Sequence, residues 1–530
     1  MTPLKPSPLR FHFPEGYDPK RLFDDLAHHH SIRKGSPSER NIALYDTFDW
    51  RLYHRSLVLC RSGGIWYMRK LFEDTAICRA KVSPPPRFAR DFPNGRLKDL
   101  LGPIIRNRAL IRLMEVSSRK TPYDILKRDG TVRARLVPEE LRFSGEKGKK
   151  GSAACLWLTP AGKHLRGVRA LKNRLEEIGC VACRETEVYF TSLESLGIKP
   201  GGYTTKFDSE IDPAMRSDEA MKRVLRFLLQ VMRANEDKIG EDLDAEFLHD
   251  FRVALRRART GLGEMGHIFP PKVTGRFDKD LATAGRISGP VRDLDVYLLD
   301  EGKRKAMLPA ALRDDIESVF KYLRKERSKA FRRLVRHLGS RKYRESMGTW
   351  GAFLDNRIEV SLEVPDAGLP IGEMSREKIS EKYRRILEKG NSILGNPKDR
   401  KLHLLRLACK ELRYLLEFFA GLFPPGKADA AIRKLKKLQD LLGRFNDLRI
   451  QEEYLLAVAG GLPRRGKRRT GTLLAIGSLF GALDREKQTL KDAFARTFAD
   501  YASRPNRKLF RELVAGATPA APSRSSGGLP

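Results

Sequence analysis

Two segments of the chain place three basic residues at the same spacing after a histidine. Both read H-x-x-R-x-x-x-[RK]-x-x-R, and the positions are His249, Arg252, Arg256, Arg259, His403, Arg406, Lys410 and Arg413. Guanidinium and ammonium groups bind phosphate oxygens through charge-assisted hydrogen bonds. Like charges on neighbouring turns of a helix repel each other, and a bound polyanion would remove that repulsion. The spacing therefore indicates a site for a polyanion.

The same spacing predicts two amphipathic helices. At about 100° per residue, each histidine and its three bases lie within an arc of roughly 80°. Apolar residues fall beside that arc, namely Leu248, Phe251, Leu255 and Ala258 in the first segment and Leu402, Leu405, Cys409 and Leu412 in the second. Each helix is expected to bury this stripe and to hold its bases at the rim of the core. Arg257 falls outside the arc and is excluded from the site.

A second pair of matching segments follows the two motifs. GRISGPVRDLDV (285–296) aligns with GRFNDLRI (443–450), and Asp293 and Asp447 each follow their motif histidine by 44 residues. The two histidines are therefore 154 residues apart, and so are the two aspartates. The agreement predicts a tandem duplication within one domain, with its two halves related by a pseudo-twofold axis.

Pairing with acids inside the protein is the alternative explanation for the motif bases. Asp293, Asp295 and Asp447 are available, and they would account for about half of those bases. They leave the further basic runs RKLKKL (433–438) and RRGKRR (464–469) unexplained. Each motif histidine is consistent with either a structural hydrogen bond or direct contact with the anion, and the spacing does not separate these roles.

Composition supports a polyanionic partner. The 530 residues contain 103 lysines and arginines against 67 acids, a net charge of +36. Such an excess is typical of proteins that bind nucleic acid, anionic membranes or polyphosphate. The six cysteines include one isolated C-x-x-C, Cys180 and Cys183, from which we predict reduced thiols and no metal site. With no long apolar run, we expect a soluble, cytoplasmic protein.

Two composition regimes predict a multidomain protein. Short alternating runs up to about residue 205 predict strands and hairpins, and the glycine-rich segment 197–213 is the expected linker. Long amphipathic helices are predicted over 214–515, in halves 214–362 and 376–515 separated by a loop at 363–375. A disordered tail is expected at 516–530.

The duplicated motif, with G-R and an aspartate after each copy, resembles the CHAD (conserved histidine α-helical) domain family over about 214–515. KELRYLLEFFAGLFP (410–424) and LKKLQDLLGRFNDL (435–448) are similar to the second half of that family. The resemblance implies an all-α fold of two four-helix bundles and binding of inorganic polyphosphate, with association with polyphosphate granules. It assigns phosphate binding to the eight motif residues, and we add Arg286, Lys434, Lys437 and Arg444 as further ligands.

The segment ALYDTFDWRLYHRSLVLCRSGGIWYMRK (43–70) resembles CYTH domains. That family forms an antiparallel β-tunnel, and its active members hydrolyse triphosphates with divalent metal held by alternating glutamates. Here Arg10 and His12 stand where acids are expected, and VRARLVPEE (132–140) has arginines in place of a metal-binding E-x-E, although Glu139 and Glu140 follow. We therefore predict a degenerate tunnel without catalytic residues, cofactor or metal. The run His28–His30 is predicted to be a solvated turn.

The function predicted from these features is non-catalytic binding of polyphosphate. A metal-dependent tripolyphosphatase of the CYTH type is one alternative, and a nucleic-acid-binding protein is another. The sequence contains no recognisable reading helix or RNP-like aromatic strand, so we expect nucleic acid to bind only non-specifically.

Overall fold

The chain divides into two compact units, residues 1–204 and residues 205–530. The computed structural model describes residues 9–14, 16–71, 76–161, 165–208, 210–356, 364–461 and 469–515. The predicted tail 516–530, and all but the last residue of the basic run 464–469, lie outside the described residues.

The first unit is built on one antiparallel sheet. Its strands are β1 Leu9–His12, β2 Ile32–Lys34, β3 Ser38–Asp46, β4 Leu57–Ser62, β5 Ile65–Lys70, β6 Ala76–Lys81, β7 Ile111–Lys120, β8 Tyr123–Leu126, β9 Val132–Gly145, β10 Lys150–Pro160 and β11 Val181–Ala182. The main order is β11-β1-β10-β9-β7-β3-β4-β5-β6, with β8 pairing to both β9 and β2. This sheet is consistent with the predicted tunnel.

The β4–β5 hairpin shows how local sequence sets the register. Ser62 pairs with Ile65, so only Gly63 and Gly64 form the turn. Both glycines have positive φ, at 56° and 78°. A two-residue turn with this geometry matches the twist of the flanking strands, and glycine adopts it without a steric penalty.

Helices cover both faces of the sheet. The helices of this unit are α1 Pro19–His29, α2 Arg96–Ile105, α3 Leu165–Glu177 and α4 Glu185–Ser195. Phe11 and Leu156 share an apolar cluster with residues of α1 and α3. Val188 and Leu193 of α4 pack in another cluster, with residues of β3, β7, β9 and β10. The predicted turn at His28–His30 is wrong, because His28 and His29 form the exposed last turn of α1.

The second unit is entirely helical in its described residues. Its helices are α5 Ser217–Gly240, α6 Ala245–Glu264, α7 Pro271–Leu299, α8 Glu301–Ala306, α9 Glu317–Leu338, α10 Arg341–Asp355, α11 Ile371–Asn391, α12 Asp399–Phe418, α13 Lys427–Gly461, α14 Arg469–Tyr501 and α15 Arg504–Val514. An antiparallel sheet domain followed by an all-helical region confirms the predicted fold class. The loop predicted at 363–375 is too long, because α11 begins at Ile371.

The two halves of this unit repeat the same helix positions. Helices α5 and α11 begin at residues 217 and 371, and α6 and α12 begin at residues 245 and 399. Both pairs are offset by 154 residues, as the motif spacing predicts. In each half, the motif helix packs between the helices that precede and follow it.

Backbone hydrogen bonds join the starts of α5 and α11 symmetrically. Arg216 and Pro370, which are 154 residues apart, form an antiparallel bridge with each other. The flanking bonds occur in equivalent pairs: Ser217 N to Leu369 O and Ile371 N to Met215 O, both 2.9 Å, and Asp218 N to Ala367 O at 3.2 Å and Gly372 N to Pro213 O at 2.9 Å. In each pair, the second bond is obtained from the first by adding 154 to the donor's residue number and subtracting 154 from the acceptor's. A pseudo-twofold axis therefore passes through this bridge.

The halves also share a core. One apolar cluster combines side chains from α7 and α9 of the first half with side chains from α13 and α14 of the second. Helices α6 and α12, which carry the two motifs, pack against each other. In the described part of the chain, no helix combines the length and apolar character needed to span a lipid bilayer.

Candidate polyanion-binding site

The two motif helices bury the stripe that the sequence predicts. All eight apolar positions on α6 and α12 are buried, with at most 4% of their surface exposed. The motif bases beside them are half-buried. Their stems pack against the core, so their charged ends cannot spread freely into water.

Contact between α6 and α12 brings together four of the predicted bases, Arg252, Arg256, Arg406 and Lys410, which we call the cation cluster. Arg256 and Lys410 occupy equivalent positions in the two repeats, as do Arg252 and Arg406. Burial lowers the pKa of Lys410 to about 6, and the charges of Arg256 and Arg406 contribute to that lowering. Burial also lowers the pKa of Arg406, with Arg256 adding to the effect. The cluster is therefore a self-repelling group in a partly desolvated position.

Arg252 differs from the other members because the protein already binds its guanidinium. It donates hydrogen bonds to the Gly285 carbonyl at 2.8 Å and to the Ser288 hydroxyl at 2.7 Å. Its pKa is lowered to about 10, first by burial and then by Arg256. These bonds to α7 fix the position of one guanidinium in the cluster.

The other three cations lack partners among the described residues. Arg256, Arg406 and Lys410 make no hydrogen bond or ion pair there, and the buried Nε atoms of both arginines have no acceptor. A buried donor without an acceptor is costly, and the cost is greater for a charged group. The three side chains therefore have free donors for an anion.

Nearby carboxylates attract the cluster without forming ion pairs with it. The charge of Asp447 partly offsets the lowering of the pKa of both Arg406 and Lys410. Asp293 interacts with the charges of Arg252 and Arg256, but burial raises its pKa, and the charge of Asp447 adds to that rise. Neither aspartate lies within 4.0 Å of a basic group among the described residues. Asp295, the third acid considered for internal pairing, is instead bound to Arg327 at 2.8 Å. Internal pairing therefore does not account for the cation cluster.

Three predicted site residues do have acidic partners. These are Arg259 with Asp278 at 2.8 Å, Arg413 with Glu417 at 2.7 Å, and Arg444 with Glu486 at 2.6 Å. All three carboxylates are partly exposed, so such pairs can exchange partners at modest cost. Arg257, which the helical arc excludes, donates to Glu417 at 2.5 Å and to the Thr205 carbonyl at 2.7 Å.

The remaining predicted bases are exposed. Arg286 lies on α7, and Lys434 and Lys437 lie on α13. Arg286 is close enough to His337 that its charge, after burial, lowers the pKa of that histidine. These three bases can attract a polyanion over a long range, whereas the cation cluster holds its donors in fixed positions.

His403 braces its helix against α13. Its Nδ1 lies 3.0 Å from the Oδ1 of Asn446. The position equivalent to Asn446 in the first half is Arg292, so the two halves differ here.

Arg292 and Arg449 were missed by the motif analysis. The charge of Arg292 lowers the pKa of Arg252, and that of Arg449 lowers the pKa of Arg406. Neither base is repeated in the other half, since the equivalent positions are Asn446 and Asp295, so the duplication gave no signal for them.

In the first unit, one of the two acids that follow the arginines of β9 already has hydrogen-bond partners. Glu139 is buried, and its carboxylate accepts from Arg10 at 2.7 Å, Trp157 Nε1 at 2.6 Å and Ser118 at 2.5 Å. Arg10 stands where the CYTH resemblance places an acid, so a cation takes the place of a second carboxylate. Glu140 is exposed and points to the opposite face of β9. This pair therefore does not form a two-carboxylate site for Mg²⁺.

Two solved structures are similar to part of the chain. The CHAD domain from the plant Ricinus communis matches with a TM-score of 0.47 and 24% identity, over 57% of this chain and 98% of that chain. PptA from Streptomyces chartreusis matches with a TM-score of 0.44 and 16% identity, over 54% of this chain and 99% of that chain. No curated protein matches the chain.

A family model described as the CHAD domain matches residues 223–456. This range contains both histidine motifs, both following aspartates and the whole cation cluster. The region that matches the CHAD domain model therefore lies within the helical unit.

Proposed function

We propose that the helical unit binds inorganic polyphosphate without hydrolysing it, and that the cation cluster is the centre of the site. The observation that carries this proposal is the set of three half-buried cations, Arg256, Arg406 and Lys410, that have no partner among the described residues. A bound anion would supply acceptors for them and would remove their mutual repulsion. The association of the CHAD family with polyphosphate supports this choice of anion.

A linear polyphosphate suits the arrangement better than a single phosphate does. Arg252 and Arg256 on α6, and Arg406 and Lys410 on α12, are each separated by one helical turn, about 6 Å along the axis. A flexible chain with a charge on every unit can contact successive turns of both helices at once. Arg259 and Arg413 lie one turn further along, so the binding surface could extend past the cluster.

Removing the three unpartnered charges should abolish tight binding. We expect the full chain to bind long-chain polyphosphate with submicromolar affinity, and Arg256→Gln/Arg406→Gln/Lys410→Met to weaken it by at least about 100-fold, because each charged hydrogen bond contributes about 1.5–3 kcal/mol. The slope of log affinity against log salt should also fall, by about 0.7 for each phosphate that is no longer neutralised. Titration calorimetry at several salt concentrations measures both quantities.

Arg384→Ala/Arg385→Ala/Lys389→Ala is the matched control, since it replaces the same residue types, two arginines and one lysine, at exposed positions on α11. We expect it to change affinity less than about 5-fold, because exposed charges act mainly through screened long-range attraction. Equal reductions in affinity in the two triple variants would show that net charge, and no particular site, determines binding.

Binding should be accompanied by proton uptake at Lys410. With its pKa lowered to about 6, the free lysine is mostly uncharged at pH 7.5. Polyphosphate favours the charged form and should raise this pKa, so close to one proton should be taken up on binding. Affinity should fall as the pH rises from 7 to 9. Calorimetry in buffers with different ionisation enthalpies measures the proton number, and Lys410→Met should reduce it to near zero while Lys389→Met leaves it unchanged.

The thermal stability of the unliganded protein tests independently whether the pKa of Lys410 is lowered by burial. The folded-state pKa of Lys410 lies below that of an unfolded lysine, so the unfolded chain binds more protons between about pH 6 and 10. The destabilising effect of Lys410 is therefore complete below pH 6 and decreases as the pH rises. Lys410→Met should raise the melting temperature more at pH 6 than at pH 9. A lower melting temperature at both values would contradict the buried-charge explanation.

The first unit should not hydrolyse triphosphates. Because Glu139 is bound to Arg10, we expect no orthophosphate release from tripolyphosphate above background with either Mg²⁺ or Mn²⁺. A colorimetric phosphate assay on the full chain makes this measurement. Metal-dependent release that Glu139→Gln abolishes, while Glu140→Gln retains it, would establish the tripolyphosphatase alternative.

A further inference from the structure

Three potential metal ligands meet on one face of the sheet in the first unit. His12 on β1 is directly paired with Cys155 on β10. Cys183 follows β11, and its N–H donates to the Arg10 carbonyl at 2.9 Å, which continues the β1–β11 ladder. Because alternate residues of a strand share a face, this register places His12, Cys155 and Cys183 on the same side of the sheet.

The ligand atoms of these three residues are close together. One nitrogen of His12 and the two Sγ atoms all lie within 4.8 Å of one another, and His12 Nδ1 is 3.6 Å from Cys155 Sγ. Cys155 is fully buried, whereas His12 and Cys183 are half-buried. The group therefore has a rigid inner ligand and two ligands near the surface, through which a metal ion could enter.

Cys180, the other cysteine of the C-x-x-C, does not belong to this group. It is buried with Phe11 and Leu156 in the apolar cluster on the opposite face of the sheet. Strand β11 lies between Cys180 and Cys183 and separates their environments. The sequence predicts that Cys180 and Cys183 do not form a zinc site together. The fold instead brings Cys183 close to Cys155, a pair that the spacing of the cysteines does not reveal.

We propose that His12, Cys155 and Cys183 form a Zn²⁺ site. One imidazole and two thiolates are a ligand set that zinc prefers, and they leave one tetrahedral position for water or another ligand. Two thiolates balance the charge of the ion. The positive charge of nearby Arg10 is offset by Glu139 at 2.7 Å. This inference concerns the first unit and does not depend on polyphosphate binding.

Local hydrogen bonding favours the thiolate that zinc requires. The pKa of Cys155 is lowered chiefly because the Cys183 thiol donates to it, with smaller contributions from His12 and Arg10. In the same pair, the pKa of Cys183 is raised.

The test uses untagged full-length protein, reduced and stripped of metal. We expect it to bind one equivalent of Zn²⁺ in competition with a chromophoric chelator and to show a higher melting temperature when zinc is bound. Co²⁺ should give a thiolate-to-metal charge-transfer band, which is a spectroscopic sign of sulfur ligands. Cys183→Ser and His12→Gln should each weaken Zn²⁺ binding by more than about 100-fold, because loss of a direct ligand exceeds the effect of an outer partner.

Cys78→Ser is the matched control, since Cys78 is a half-buried cysteine on β6, at the far end of the strand order. It should leave the zinc affinity and the cobalt band unchanged.

Two results would overturn the proposal. One is Zn²⁺ binding that Cys183→Ser and His12→Gln leave intact. The other is a reduced wild-type protein that binds no Zn²⁺ and forms a Cys155–Cys183 disulfide on oxidation, which would make the pair a redox site. Because Cys183 and His12 are half-buried, these variants avoid the folding risk of replacing Cys155.

Discussion

Repulsion between half-buried cations at the contact of α6 and α12 is the constraint on which the helical site depends. Each motif helix by itself would hold its bases at the rim of a core and could rotate them toward water. Packing of the two helices removes that freedom, and the backbone bridge between Arg216 and Pro370 fixes the pseudo-twofold arrangement. The duplicated sequence thereby produces a concentration of positive charge that neither half has alone.

The two halves are not identical at this contact, and the difference has a physical consequence. Arg256 and Lys410 occupy equivalent positions, but only lysine can lose its proton at accessible pH. The free protein can therefore reduce the repulsion by deprotonating Lys410, whose pKa is lowered to about 6. A bound polyanion would restore that proton. An Arg–Lys pair thus couples ligand binding to protonation in a way that two arginines would not.

Features set by local spacing could be predicted from the sequence. The buried stripes of α6 and α12 and the offset of 154 residues follow from periodicity, and the structure confirms them. The Gly63–Gly64 turn is local in the same sense, since its two glycines adopt positive φ. The N-terminal limit of α11 was missed, because the proline- and glycine-containing segment before it resembles a longer loop.

Contacts between distant segments could not be predicted in the same way. The pairing of Arg10 with Glu139 joins residues 129 positions apart and depends on the strand order β1-β10-β9. The acidic partners of Arg259 and Arg444 depend on how neighbouring helices pack. The approach of Cys155 to Cys183 likewise requires β1 to lie between β10 and β11. Spacing identifies which residues share a face, and packing decides which of them remain without partners.

Competition between polyanions at physiological salt tests the central claim most directly. The full chain is first bound to a labelled single-stranded nucleic acid and is then titrated with long-chain polyphosphate or with unlabelled nucleic acid at equal concentrations of phosphate. A site shaped by the cation cluster predicts displacement by polyphosphate at a far lower phosphate concentration. Equal potency, or stronger displacement by nucleic acid, would contradict the account.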